Sequence, residues 1–203
     1  MTRRLLLLRH GQVPPDCLGK FLGSTDVPLD PVGLGQARWM ADRIRQFQPQ
    51  ACFCSPMLRC RQTLEALASE LPVRFEEDLR EIDFGRWEKY TFAEIARESP
   101  ESAAQWSAFD PGLCFPGGET LGGFLARVRG VAGRLASEPA ETALVVAHGG
   151  VIRTMICHFL GLPPDRYLAF DISYASLTVL NLFNGRGVLA SLEKPEPAEN
   201  GRG

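Results

Sequence analysis

The sequence predicts an α/β chain, a three-layer α/β/α sandwich around a mostly parallel central sheet. Three observations carry that expectation. Apolar runs of strand length alternate with amphipathic stretches of helical length along the 203 residues. The strongest strand runs are apolar throughout, as strands covered on both faces are. Helical stretches follow close behind them, which implies parallel strands with helices on both faces.

In chain order, residues 4–9 hold four consecutive leucines and read as a buried strand. A helix over 31–47 follows, with Asp30 as N-cap and Pro31 at the first helical position. Residues 50–54 form the next buried strand, and Ser55-Pro56 opens a helix in the same way. A short strand is expected at 73–76, and helices at 92–98 and 119–137. A third buried run at 142–147 leads into a helix over 151–160, stopped by Gly161 and Pro163-Pro164. Residues 177–183 and 188–192, joined through 184–187, read as a hairpin that would make the sheet mixed. One domain is therefore expected over 1–192. Residues 193–203, rich in Pro, Glu, Gly and Asn, read as a disordered tail.

Hydrophobic residues are 45% of the chain, charged residues 23%, and the formal net charge is -2. That balance excludes a disordered chain. No Lys/Arg block offers the footprint that nucleic acid or an anionic membrane surface needs, so any bound anion is small and locally caged. The apolar run after Arg3-Arg4 ends after four residues, too short for a signal peptide, and no stretch approaches the length of a spanning helix. A cytoplasmic protein is expected. The six cysteines lack the dense spacing of a disulfide scaffold and read as free thiols. Cys52 and Cys54 share one strand face without the second ligand pair a zinc site requires, so no metal is expected there.

In an open α/β sheet, ligands bind beyond the carboxyl ends of the strands. His10 and His148 both fall there, each after an apolar run and each followed by glycine. A lone histidine at such a position caps a strand. Two of them beside Arg9, an arginine directly after four leucines that needs an anion to be buried, point to a phosphate site. Gly149-Gly150 and the helix opening at Val151 add backbone N–H groups and the positive end of a dipole. Arg59, in the first turn after the second strand, can reach the same crevice and clamp a phosphate with its fork. Arg61 and His158 lack that context and read as solvent-facing and structural. Glu81 sits among Ile82, Phe84 and Trp87, where a carboxyl can serve as a proton donor; an ion pair with Arg80 or Arg86 is the other reading.

Leu8-Arg9-His10-Gly11-Gln12 resembles the signature of the histidine phosphatase superfamily, the phosphoglycerate mutase-like fold. Residues 23–29, 33–37, Ser55-Pro56-Met57-Leu58-Arg59 with Thr63, 79–85 and 147–150 resemble further motifs of that family, in the family's order. The resemblance implies that His10 is a nucleophile passing through a phosphohistidine, that Arg9, Arg59 and His148 hold the phosphoryl group, and that Glu81 is the general acid and base. It implies a substrate-binding set of Arg9, Gly11, Asp16, Gly23, Ser24, Arg59, Glu81, His148 and Gly149, with no cofactor or metal and with a small phosphorylated metabolite as ligand. A homodimer is compatible with it. The chain departs from the family at Val13, at Asp16, whose carboxylate would repel a phosphate unless it points away, binds a sugar hydroxyl or is partly protonated, and at Lys89 in place of a frequent glycine.

The stretch from Glu81 to His148 lacks the long basic insertion of the mutases, which favours hydrolysis over isomerisation. Pro116-Gly117-Gly118-Glu119-Thr120 and Phe84-Gly85-Arg86-Trp87-Glu88 resemble α-ribazole phosphatases of cobalamin assembly, close in sequence to fructose-2,6-bisphosphatases. Trp87, Trp106 and Phe109 offer a wall for a benzimidazole-like ring, or are packing.

Overall fold

Four leucines in succession leave a strand with no polar face, so it must be covered on both sides. The computed structural model, which describes residues 3–195, places that strand inside a six-stranded sheet. The strands are β1 (Arg3–Arg9), β2 (Ala51–Cys54), β3 (Val73–Phe75), β4 (Thr142–Ala147), β5 (Leu177–Phe183) and β6 (Arg186–Glu193), in the order β3-β2-β4-β1-β5-β6. The first four are mutually parallel, β5 pairs antiparallel with β1, and β6 pairs antiparallel with β5.

The helices are α1 (Pro31–Arg45), α2 (Leu58–Ala66), α3 (Phe92–Glu98), α4 (Pro100–Ser107), α5 (Leu121–Ala136) and α6 (Gly149–Leu160). Alternation along the strands sorts them into two layers. Leu6, Leu8, Cys52 and Cys54 pack with Met40 and Ile44 of α1 and Leu64 of α2. Leu5, Leu7, Phe53 and Val145 pack on the other face with Val128 of α5 and Ile152 of α6. The three-layer sandwich is thus built as expected. All six cysteines are free thiols, and five of them are buried.

Several boundaries differ from the sequence reading. Asp30 caps α1 as expected, its side chain accepting from Gly33 N at 2.7 Å. Ser55-Pro56, however, does not open α2, which begins at Leu58 with Met57 as its N-cap residue, and Ser55 Oγ lies against His148. α6 starts at Gly149, two residues early, with His148 itself as its N-cap residue. α4 was not expected, since it buries only Ala103 and lacks an apolar stripe. The hairpin turns on Asn184 and Gly185 alone, both at positive φ, so β6 resumes at Arg186.

β6 runs to Glu193, one residue beyond the expected boundary at 192. Glu193 pairs with Arg43 at 2.5 Å, and Lys194 pairs with Asp171. Residues 196–203 of the expected tail lie outside the described residues. No described helix is long and apolar enough to cross a membrane.

Candidate active site

The parallel register pairs Arg9 on β1 with Ala147 on β4, so the residues that follow each strand emerge side by side. These are His10 and His148, whose ring centroids lie 5.2 Å apart. β2 ends one step away, where Ser55 N donates to Val146 O at 2.9 Å. The three strand ends therefore gather the residues that the sequence singled out.

His10 is almost fully buried, and its Nδ1 lies 2.8 Å from the Gly11 carbonyl. A carbonyl only accepts, so Nδ1 carries the proton and Nε2 keeps its lone pair. Burial, then the nearby charges of Arg59 and Arg9, hold the imidazole pKa well below its usual value. A neutral ring with a bare Nε2 is the nucleophilic form. The Gly11–Gln12 turn fits against α1 only without a side chain, because a Cβ on Gly11 would sit 2.4 Å from Gly33 O. Gly11 N donates to Thr63 Oγ1 at 3.0 Å, which ties the turn to α2.

His148 is held at both nitrogens. Arg59 Nε donates to Nδ1 at 3.2 Å, and Nε2 lies 2.8 Å from Ser55 Oγ. Burial and the Arg59 charge depress its pKa as well. Arg59 is also fully buried, and it is not the free fork that the sequence suggested. Nη1 donates to Thr25 O at 2.9 Å and Nη2 to Gly23 O at 2.8 Å. Three of its five N–H donors are thereby used and two remain.

Arg9 meets no carboxylate among the described residues. Nη1 donates to Ile172 O at 2.7 Å, the guanidinium lies 4.0 Å over the Tyr174 ring, and Nε is buried without a partner. A buried, orphaned Nε on a half-buried cation at the cavity wall suits an incoming anion. Glu81 forms no ion pair among the described residues, and Arg80 turns to Glu77. Its Oε2 accepts from Gly150 N at 2.8 Å, so the carboxylate rests on the first turn of α6. A Cβ on Gly150 would fall 2.5 Å from Glu81 Oε1, so a side chain there would push the carboxylate from this seat. Arg127 fixes the segment from behind, donating to Arg80 O at 2.7 Å and Glu81 O at 3.0 Å.

A cavity of about 240 Å³ opens on His10. Arg9, Glu81, Gly149, Gly150 and Arg153 form its polar end, and Phe21, Phe84, Trp106, Phe109 and Tyr167 line the rest. Trp87 does not reach the cavity; it is packed against Phe115 in the core, so the expected aromatic wall keeps only Trp106 and Phe109 of its three members.

The expected binding set is thus only partly gathered at the cavity. Arg9, Glu81 and Gly149 line it with His10, while Arg59 and His148 are buried beside it. Gly11, Gly23 and Ser24 have their backbone N–H groups taken by Thr63 and Glu88. Asp16 stands exposed on a 3-10 turn at Pro15–Cys17 and is not among the residues that line the cavity. Lys89 is exposed at φ 65°, the left-handed conformation that explains the family's glycine. Tyr174 and Arg153 stand in no motif that the sequence sets apart, while Ser55 and Glu88 belong to motifs that give no sign of their contacts.

The model of the histidine phosphatase superfamily (branch 1) matches residues 5–195. Phosphoserine phosphatase 1 of Hydrogenobacter thermophilus is 29% identical, over 93% of this chain and 91% of that one. The adenosylcobalamin/alpha-ribazole phosphatase of Salmonella typhimurium is 27% identical over 93% and 95%. Among solved structures, the alpha-ribazole phosphatase from Shigella flexneri superposes with a TM-score of 0.85 at 25% identity, covering 95% of this chain and 96% of that one. A mycobacterial glucosyl-3-phosphoglycerate phosphatase superposes with a TM-score of 0.80 at 29% identity, covering 94% and 98%.

Proposed function

The chain belongs to the histidine phosphatase superfamily, and from that premise we propose that it hydrolyses α-ribazole 5'-phosphate, or a close aromatic nucleoside-like phosphomonoester, through a phosphohistidine on His10. Nε2 of His10 attacks phosphorus as the ester P–O bond breaks. Arg9 Nε, the spare N–H groups of Arg59 and, once released from Ser55, the His148 N–H receive the phosphoryl oxygens. Glu81, protonated for this step, gives its proton to the departing alkoxide. It then takes a proton from the water that attacks phospho-His10, releasing phosphate and restoring the neutral ring.

The observation that carries the substrate is the aromatic lining of the cavity on which His10 opens, above all Trp106 and Phe109 with Tyr167 at 4.4 Å from Phe109. A planar apolar leaving group fits such a wall. Arg153 and Lys20, also on the cavity, favour a second reading, a small ester that carries a carboxylate such as phosphoserine. Comparing kcat/KM for α-ribazole 5'-phosphate, O-phosphoserine, fructose 2,6-bisphosphate and 3-phosphoglycerate in one assay tests the choice. Preference for the first, lost in Trp106→Ala, supports the proposal. Preference for any other overturns it, and product isomerisation in place of phosphate release would make the enzyme a mutase.

A further inference from the structure

Arg59 is a fully buried guanidinium with no ion pair among the described residues. An uncompensated charge at such depth is costly, so its counter-charge has to be sought through its hydrogen bonds. Two of them end on the carbonyls of Gly23 and Thr25.

The opposite side of that loop is bound to one carboxylate. Glu88 Oε1 accepts from Ser24 N at 2.9 Å, both its oxygens lie 3.1 Å from Gly23 N, and Oε2 accepts from Thr25 N at 3.2 Å. The carbonyl of Gly23 and the N–H of Ser24 belong to the same peptide group and point in opposite directions. One peptide therefore stands between Glu88 and Arg59, its N–H on the carboxylate and its carbonyl on Nη2. Such a chain polarises cooperatively, each bond strengthening the next. The approach is close enough to forbid any side chain on Gly23, whose Cβ would fall 1.7 Å from Ile82 O.

Glu88 touches neither the cavity nor either histidine. It also accepts from Phe84 N at 3.3 Å, which fastens the segment carrying Glu81 to the same carboxylate.

We propose that Glu88 is a positioning residue for the phosphoryl-binding machinery: through the Gly23–Ser24 peptide its carboxylate supplies the counter-charge that holds Arg59 aimed at the site beside His10. This rests on the reading of Arg59 as a group that binds the phosphoryl oxygens. Removing the Glu88 charge frees the Arg59 fork and loosens its Nε from His148.

A double-mutant cycle tests this, with orthovanadate inhibition of p-nitrophenyl phosphate hydrolysis as readout. Arg59→Met is expected to weaken vanadate roughly tenfold or more. Glu88→Gln is expected to weaken it to a similar degree in the native background, yet less than about twofold on top of Arg59→Met. Undiminished vanadate binding in Glu88→Gln, or losses that multiply in the double variant, would overturn the proposal. Full vanadate affinity in Arg59→Met would instead sink the reading of Arg59 itself. Should Glu88→Gln fail to fold, the coupling is read from the other end by the NMR shifts of the Ser24 and Thr25 amides, which donate to Glu88, in the native and Arg59→Met proteins. Displaced amide shifts in Arg59→Met are expected, and unchanged ones contradict the relay.

Discussion

Arg59 Nε donates to His148 Nδ1 across 3.2 Å, and that bond decides the protonation of the second histidine. An arginine can only donate, so Nδ1 is bare and the one N–H of neutral His148 is at Nε2, shared with Ser55 Oγ. Nitrogen-15 NMR is expected to show the Nε2–H tautomer in the native protein. Ser55→Ala leaves that buried N–H without its partner and is expected to cost about 1–3 kcal/mol in urea unfolding. An Nδ1–H tautomer, or an unchanged midpoint, would contradict the arrangement.

Tyr174 covers the half-buried Arg9 guanidinium at 4.0 Å, where no carboxylate among the described residues pairs with it. Tyr174→Leu is expected to weaken inorganic phosphate as an inhibitor by roughly 2- to 30-fold, the range of a partly desolvated cation–π contact. Tyr174→Phe keeps the ring face and is expected to stay near native. Equal losses in both would assign the effect to the hydroxyl.

The two fully buried histidines of the site make stability depend on pH with a definite sign. Folded His10 and His148 stay neutral below the ordinary histidine range, whereas the unfolded chain takes up protons as the pH falls through about 6.5. The unfolded state then binds more protons. Stability is therefore complete above about 6.5 and declines below it, by up to about 1.4 kcal/mol per pH unit for each histidine until the folded pKa is reached. Urea midpoints measured from pH 7.5 to 5 check this, and a flat profile counts against buried neutral rings.

Glu81 matters only when the leaving group needs a proton. Glu81→Gln is expected to lower kcat steeply, on the order of 10²- to 10⁴-fold, on an alkyl phosphate ester, and far less on p-nitrophenyl phosphate, whose anion leaves unaided. Equal losses on both substrates would remove Glu81 as the acid.

The fold was legible because the strands announce themselves: Leu5 to Leu8 and the 142–147 run can only be interior, and their ends bring His10 to His148. Polar partners were not legible. Ser55 reads as a helix cap in sequence but bonds to a histidine 93 residues away, and Arg59 reads as a free fork but is turned onto loop carbonyls 34 and 36 residues earlier. Glu88 and Tyr174 act across similar distances, and no local period or spacing records such contacts. For Asp16 and Trp87 the sequence left two readings open, because a residue beside a motif need not face the site; the cavity lining includes neither.

The phosphohistidine itself offers the most direct test. Rapid acid-free quenching with 32P-labelled substrate, followed by peptide mapping, is expected to place one acid-labile, alkali-stable phosphate on the peptide containing His10, and none in His10→Ala. Labelling that persists in His10→Ala, or that maps to another residue, would contradict the nucleophile on which the whole mechanism stands.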